Sequence, residues 1–198
     1  MNKFILFICI LFANQSSAAI EEAIFAGGNF WRLEATFNKI NGVLATVTGY
    51  DGGTSNNPTD EDVAAGRTNY VQAIRVIYNP KQVTYQQIVD YFWLNIDPTI
   101  ENAQLCDNGK QYKSVIFYLN PKQQAIALAS QRAMKQKFNK IYTKVRPSTQ
   151  FYAADDDNQG YFKKHPFLFK YYLYRCSHEE RVRKLWQTSA MLIFNIKC

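Results

Sequence analysis

The order in which extended and helical patterns alternate constrains this chain more than any other feature. "EEAIFAG" is an apolar, β-prone run, and "FWRLEATFNKI" follows it with Trp31, Leu33, Phe37 and Ile40 on one approximate stripe. "VLATVTGY" then reads as a strand, "QAIRVIYNP" as a strand closed by Pro80, and "TYQQIVDYFWLNI" as a helix opened by Thr84. "KSVIFYLN" is the next strand, and "PKQQAIALASQRAMKQKF" a helix with proline in its first turn. "TQFYAA" supplies a last strand, and "EERVRKLW" a basic helix near the end. Two long polar stretches, residues 51–69 and 98–112, interrupt the pattern, and loops of that length in a compact domain are usually functional or mobile. The alternation predicts an α/β chain in which helices pack on a sheet and loops converge at strand ends, where such folds place their sites.

With 198 residues and 47% hydrophobic content the chain can bury one good core, and no polar or Pro/Gly-rich linker divides it. Residues 20–198 are read as a single domain. Residues 1–19 are read as a secretory signal: Lys3 precedes the apolar run "FILFICILFA", and the small polar stretch "NQSSAA" follows. The run is too short to span a bilayer, which favours a cleaved signal; the competing reading is an uncleaved anchor or a buried first helix. Export to the periplasm or the outside implies an oxidising compartment, in which Cys106, Cys176 and Cys198 remain after Cys9 leaves with the signal. Three thiols allow one internal disulfide, of unspecified pairing. The net charge of +7 does not point to nucleic acid in an exported chain. "KQKFNKIYTK" and "RVRKLW" read as solvated helix faces, with weak attraction to anionic surfaces as the alternative. "YYLY" and the run Tyr91, Phe92, Trp93 read as core packing.

Several chemistries are excluded by spacing. "AGGNF" and "GYDGG" lack the dinucleotide and P-loop patterns. His165 and His178 stand apart from other ligands, as surface residues, and "DDD" at 155–157 lacks the twelve-residue calcium pattern, so no metal is expected. Asn29 is the more informative residue, because it sits where the first strand hands over to the first helix. Asparagine is a favoured N-cap there and satisfies one of the helix's orphan N–H groups.

"AGGNFWRLEATF", "GVLATVTGYDGG", "NPT", "VIYNP", "FWLNIDPT", "DNGKQYKSVIFY" and "AADDDNQGYFKK" occur in order over residues 22–164. Together they resemble the peptide methionine sulfoxide reductase A family. The resemblance implies a two-layer α/β (α+β) fold, a mixed sheet with flanking helices on a ferredoxin-like plait, and reduction of the S epimer of methionine sulfoxide. In that chemistry a thiolate at a helix N-terminus attacks the sulfoxide sulfur, a glutamate protonates the oxygen, and a second thiol and then thioredoxin resolve the sulfenic acid. No bound cofactor is implied, and the expected partners are methionine sulfoxide or methionine in peptides and proteins, with a thioredoxin-like reductant if the chain is active. A monomer is expected.

Carried over by residue, the resemblance divides the chain. Phe30 and Trp31 match the aromatics that hold the substrate methyl group, Asp107 matches the carboxylate loop, and Tyr112 matches a tyrosine that bonds the sulfoxide oxygen. Asn29 stands at the nucleophile position, Gln72 at the acid position, and Asp60 at the position of the second tyrosine. Asp156 and Gln159 fall at positions with a scaffold or pocket-edge role. Three readings follow: an impaired homologue that binds without reducing, an active reductase whose thiol has relocated to Cys106 with Asp60 or Asp107 as acid, and an interaction protein working through Arg181, Arg183 and Lys184. Against relocation, Cys106 reads as an incidental residue or as the disulfide partner of Cys176. Cys176 and Cys198 occupy the region of resolving cysteines, and a disulfide between these two is the ordinary expectation.

Overall fold

The computed structural model describes residues 19–186, so the N-terminal apolar run and Cys198 lie outside the described residues. Four strands form the centre: β1 (Glu21–Ala26), β2 (Val43–Asp51), β3 (Val71–Tyr78) and β6 (Val115–Tyr118). The edge strands are β7 (Lys144–Pro147) and β8 (Tyr152–Ala153), and the sheet order is β7-β6-β1-β3-β2-β8. A separate hairpin pairs β4 (Ala103–Gln104) with β5 (Asp107–Asn108). β1 is antiparallel to β3 and β6, β2 is antiparallel to β3 and β8, and β6 is parallel to β7.

Helix α1 (Phe30–Phe37) connects β1 to β2, and α3 (Tyr85–Leu94) leads from β3 towards β6. Each connection skips one strand, which is the split βαβ arrangement of a ferredoxin-like plait. The expected two-layer α/β architecture is the one observed. The remaining helices are α2 (Asp60–Ala64), α4 (Pro121–Lys137), α5 (Tyr161–Lys164), α6 (Pro166–Arg175) and α7 (His178–Trp186).

Strand alternation explains why β1 is apolar throughout. Ala23 and Phe25 belong to the core shared with the helices, whereas Ile24 and Ala26 belong to a smaller cluster with Val71, Ala73, Val115 and Phe117. A strand buried on both faces cannot show a polar side. Phe25 stacks against Phe37 at 5.3 Å and Phe92 at 5.0 Å between ring centroids, which locks α1 and α3 onto the sheet. Tyr91, Phe92 and Trp93 are buried as expected, and the Trp93 indole N–H donates to Ser130 Oγ at 3.1 Å, tying α3 to α4. Thr84 and Gln87 close a reciprocal capping box at the start of α3.

The structure corrects several readings. Residues 51–69 contain α2, started by Thr59, and residues 98–112 contain the β4–β5 hairpin. "KQKFNKIYTK" is not one helix face: α4 ends at Lys137, Phe138 adopts extended backbone, and Lys144 opens β7. β7 escapes a pattern search because four residues, two of them cationic and the last Pro147, carry little strand signal away from an edge. "YYLY" is not core as a unit, since Tyr172 and Leu173 are half-buried whereas Tyr171 and Tyr174 are exposed.

The disulfide joins Cys106 to Cys176, with Cα atoms 5.1 Å apart. This pairing replaces the expected Cys176–Cys198 bridge and removes the free thiol that a nucleophilic Cys106 requires. It brings together a residue just before β5 and the end of α6, within the short range of Cα separations that a disulfide spans. α7 is less free than expected, because Arg181 pairs with the buried Asp97 at 2.8 Å and the Trp186 indole N–H donates to the Ile96 carbonyl at 3.1 Å. Lys184 pairs with Glu180 on the same helix at 2.7 Å.

Candidate functional site

The end of β1 leads into Gly27, Gly28 and Asn29 before α1 begins. A Cβ on Gly27 would lie 2.8 Å from an Ile96 methyl group and 3.0 Å from the Phe92 ring, and Gly28 has a φ of +89°. Both glycines are therefore required to bring Asn29 to the mouth of the helix against the core. Asn29 Oδ1 accepts the Trp31 N–H at 2.8 Å, so the cap expected from the sequence is formed.

The first turn of α1 is held by acceptors from three parts of the chain. The Phe30 N–H donates to Gln72 Oε1 at 3.2 Å, Asn29 Oδ1 takes the Trp31 N–H, and the Asp107 carboxylate lies near enough to the Asn29 N–H for that group to favour its charged form. These groups carry the positive end of the helix dipole, which favours oxygen acceptors here. Tyr112 approaches from the loop after β5, where its carbonyl accepts the Gly28 N–H at 3.0 Å. Asn29, Phe30, Trp31, Gln72, Asp107 and Tyr112 are thus brought together around one helix start from distant parts of the chain.

Asp60 reaches the same region by another route. The Trp31 indole N–H donates to Asn158 Oδ1 at 2.9 Å, and the Asn158 amide N–H donates to Asp60 Oδ2. Asp60 also lies near the Tyr50 hydroxyl; burial, then that carboxylate, raises the Tyr50 pKa, so the phenol stays protonated. Trp31 stacks flat on Tyr161 with centroids 3.8 Å apart. Phe30 lies almost wholly inside the core beside Tyr50, so it backs the site, and the half-buried Trp31 presents the aromatic surface.

Burial also raises the Asp107 pKa, opposed by a hydrogen bond from the Tyr172 hydroxyl at 2.7 Å and by the nearby Arg32 charge. Burial and the Asp107 charge raise the Tyr112 pKa. Arg32 is buried, which lowers its pKa to about 10. Its guanidinium donates to the Gly27 carbonyl at 2.6 Å and the Asn95 carbonyl at 3.0 Å, bracing the loop that positions Asn29. Glu34 accepts the Gly160 N–H on both carboxylate oxygens at 3.0 Å, and burial raises its pKa. Gln159 clamps Thr48 and Ala154 with three bonds of 2.8 to 2.9 Å, a scaffold task consistent with the expectation for it. The Asp156 carbonyl receives Lys164 Nζ. Among the described residues no group of three His, Cys, Asp or Glu could hold a metal.

Sequence reading missed Arg32, Glu34, Tyr50, Asn158, Tyr161 and Tyr172. Tyr50 lay inside the quoted motif "GYDGG", and Asn158 and Tyr161 inside "AADDDNQGYFKK". Arg32 and Glu34 were detectable as charges on a helix with little room for a polar face. Tyr172 gave no local sign, because its partner lies 65 positions away.

Residues from the motifs that begin "AGGNF", "GVLAT", "DNGKQ" and "AADDD" therefore meet at one end of the sheet, around the start of α1, whereas "VIYNP" closes β3 at the other end, where Tyr78 pairs with Glu21. The family model "Peptide methionine sulfoxide reductase" matches residues 21–190. The chain belongs to the peptide methionine sulfoxide reductase family. Peptide methionine sulfoxide reductase MsrA of Methanosarcina acetivorans is 45% identical over 152 residues, covering 75% of this chain and 81% of the relative. The MsrA protein of Halalkalibacterium halodurans is 36% identical over 170 residues, 84% of this chain and 97% of that protein. The crystal structure of reduced Mxr1 from Saccharomyces cerevisiae superposes with a TM-score of 0.71 at 29% identity, covering 75% of this chain and 87% of that one. The methionine sulfoxide reductase fold thus accounts for the plait.

Proposed function

We propose that this chain is an exported reductase-family protein that binds methionine sulfoxide in peptides or proteins without reducing it. The observation that carries the reading is the occupant of the helix mouth. Asn29, with its neighbours' N–H groups already bonded, offers an amide where sulfoxide reduction by this family's route needs a thiolate. An amide forms no sulfenic acid, so no disulfide or thioredoxin cycle follows. Gln72, at the resemblance-implied acid position, has no transferable proton in the useful pH range, and its carbonyl is engaged by Phe30. These two substitutions remove separate steps.

Binding is better supported than turnover. Asn29 Nδ2 and Gln72 Nε2 donate no hydrogen bond among the described residues, and the Tyr112 phenol is held protonated. A sulfoxide oxygen is an acceptor and a thioether sulfur a poor one, so these donors favour the oxidised side chain. A donor left unpaired against the thioether costs about 1–3 kcal/mol. Trp31 supplies apolar surface for the methyl group. The Cys106–Cys176 disulfide supports an oxidising compartment, and with it export.

The full chain, assayed with a methionine S-sulfoxide peptide and dithiothreitol, is expected to show no turnover, whereas Asn29→Cys/Gln72→Glu turns over. Calorimetry is expected to find the sulfoxide peptide bound more tightly than its thioether form, and not bound after Trp31→Ala. Turnover by the native chain overturns the reading.

A further inference from the structure

Residues 161–175, "YFKKHPFLFKYYLYR", contain Lys163, Lys164, Lys170 and Arg175 and no Asp or Glu. The inner side of α6 is committed to the protein: Phe169 is buried, Tyr172 bonds Asp107, and Cys176 at its end is bonded to Cys106. The outer side is apolar. Phe167 is 85% exposed, Tyr171 61% and Tyr174 82%, at spacings of four and three that place them on one face, with Leu168 at 59% beside them. Side chains of this size at these exposures present on the order of 500 Å² of continuous apolar surface, at the upper end of what a soluble monomer shows without a binding role. Lys170 and Arg175 are exposed on the same helix, and the Arg175 guanidinium lies 6.0 Å from the Tyr171 ring centroid.

We propose that this face of α6 docks flat on an anionic lipid surface. A bilayer interface rewards this combination: aromatic rings enter the headgroup layer, phenol hydroxyls stay at its polar edge, and lysine or arginine meets lipid phosphate. The sign of charge is uniform over the whole segment, which suits a surface of uniform opposite charge better than a protein partner of mixed sign. The association is peripheral, since no described helix is long and apolar enough to cross a membrane. It deepens no part of the sulfoxide reading and stands or falls separately.

The test is co-sedimentation of the full chain with phosphatidylglycerol/phosphatidylcholine vesicles and with pure phosphatidylcholine. Leu6→Glu/Ile8→Glu is introduced throughout so that the N-terminal apolar run contributes no affinity of its own. Phe167→Ser/Tyr171→Ser/Tyr174→Ser is expected to lower partitioning onto anionic vesicles by roughly tenfold or more. Lys170→Glu/Arg175→Glu is expected to abolish the preference for anionic over neutral vesicles. All three residues of the triple variant are exposed, and unchanged far-ultraviolet circular dichroism and melting temperature verify its fold. No binding by the parent, or equal binding by the triple variant, overturns the proposal. So does self-association in sedimentation that the triple variant abolishes while vesicle binding is absent, which would assign the face to a second copy.

Discussion

Helices α1 and α6 both open with aromatic residues, "FW" and "PFLF", yet they are used in opposite ways. α1 lies over the sheet, and Phe30, Leu33 and Phe37 vanish into the core together with the charged Arg32 and Glu34. α6 lies outside that layer, so Phe169 alone is buried while Phe167, Tyr171 and Tyr174 face solvent. Aromatic content therefore does not distinguish a core helix from a surface one; what covers it does. The same contrast governs polar groups. Around α1 the polar contacts of Asn29, Arg32 and Glu34 fix positions, whereas on α6 the inward Tyr172 and Cys176 hold the helix to the site and Phe167, Tyr171 and Tyr174 are left exposed.

The largest expected effect breaks the α1 side. Phe37→Ala, at a fully buried ring stacked on Phe25, should cost about 4 kcal/mol in urea unfolding at equilibrium. Next comes the tether between the regions: Cys106→Ser/Cys176→Ser opens a link across 70 positions and should cost about 3 kcal/mol, with hydrogen exchange rising first in α6. A smaller change sharpens the electrostatic part. The Asp107 pKa is raised, mainly by burial, above its ordinary value of 3.8, so the folded chain binds the proton more tightly than the unfolded one. Stability contributed by that group is present below 3.8 and is lost as pH rises through the folded value. Asp107→Asn should flatten the acid-side dependence of melting temperature while keeping an acceptor for Tyr172. The smallest effect is on α6, where Phe167→Ala should change stability by under about 0.5 kcal/mol, in contrast to Phe37→Ala.

The site was partly legible because its residues sit in short motifs at turns. Asn29 as a cap follows from its place between an apolar strand and an amphipathic helix, and the structure forms that bond. The engagement of Gln72 with Phe30, of Asp60 with Asn158 and Tyr50, and of Asp107 with Tyr172 was not legible, because each joins segments whose approach depends on strand order. Cys106 shows the same limit: three candidate thiols admitted several pairings, and the position of α6 selected Cys176.

By itself, the sequence determined what depends on neighbours along the chain: the periodicities of β1, α1, β3 and α3, the caps at Asn29 and Thr84, and the glycines that permit a close turn. Those follow from backbone sterics and local hydrogen bonding, which act over a few residues. Only the tertiary structure decided which carboxylates are buried, which aromatics of "YYLY" are exposed, that β7 completes the sheet, and which cysteine meets Cys106. Burial and pairing are set by the layer of protein laid over each residue, and that layer comes from distant parts of the chain.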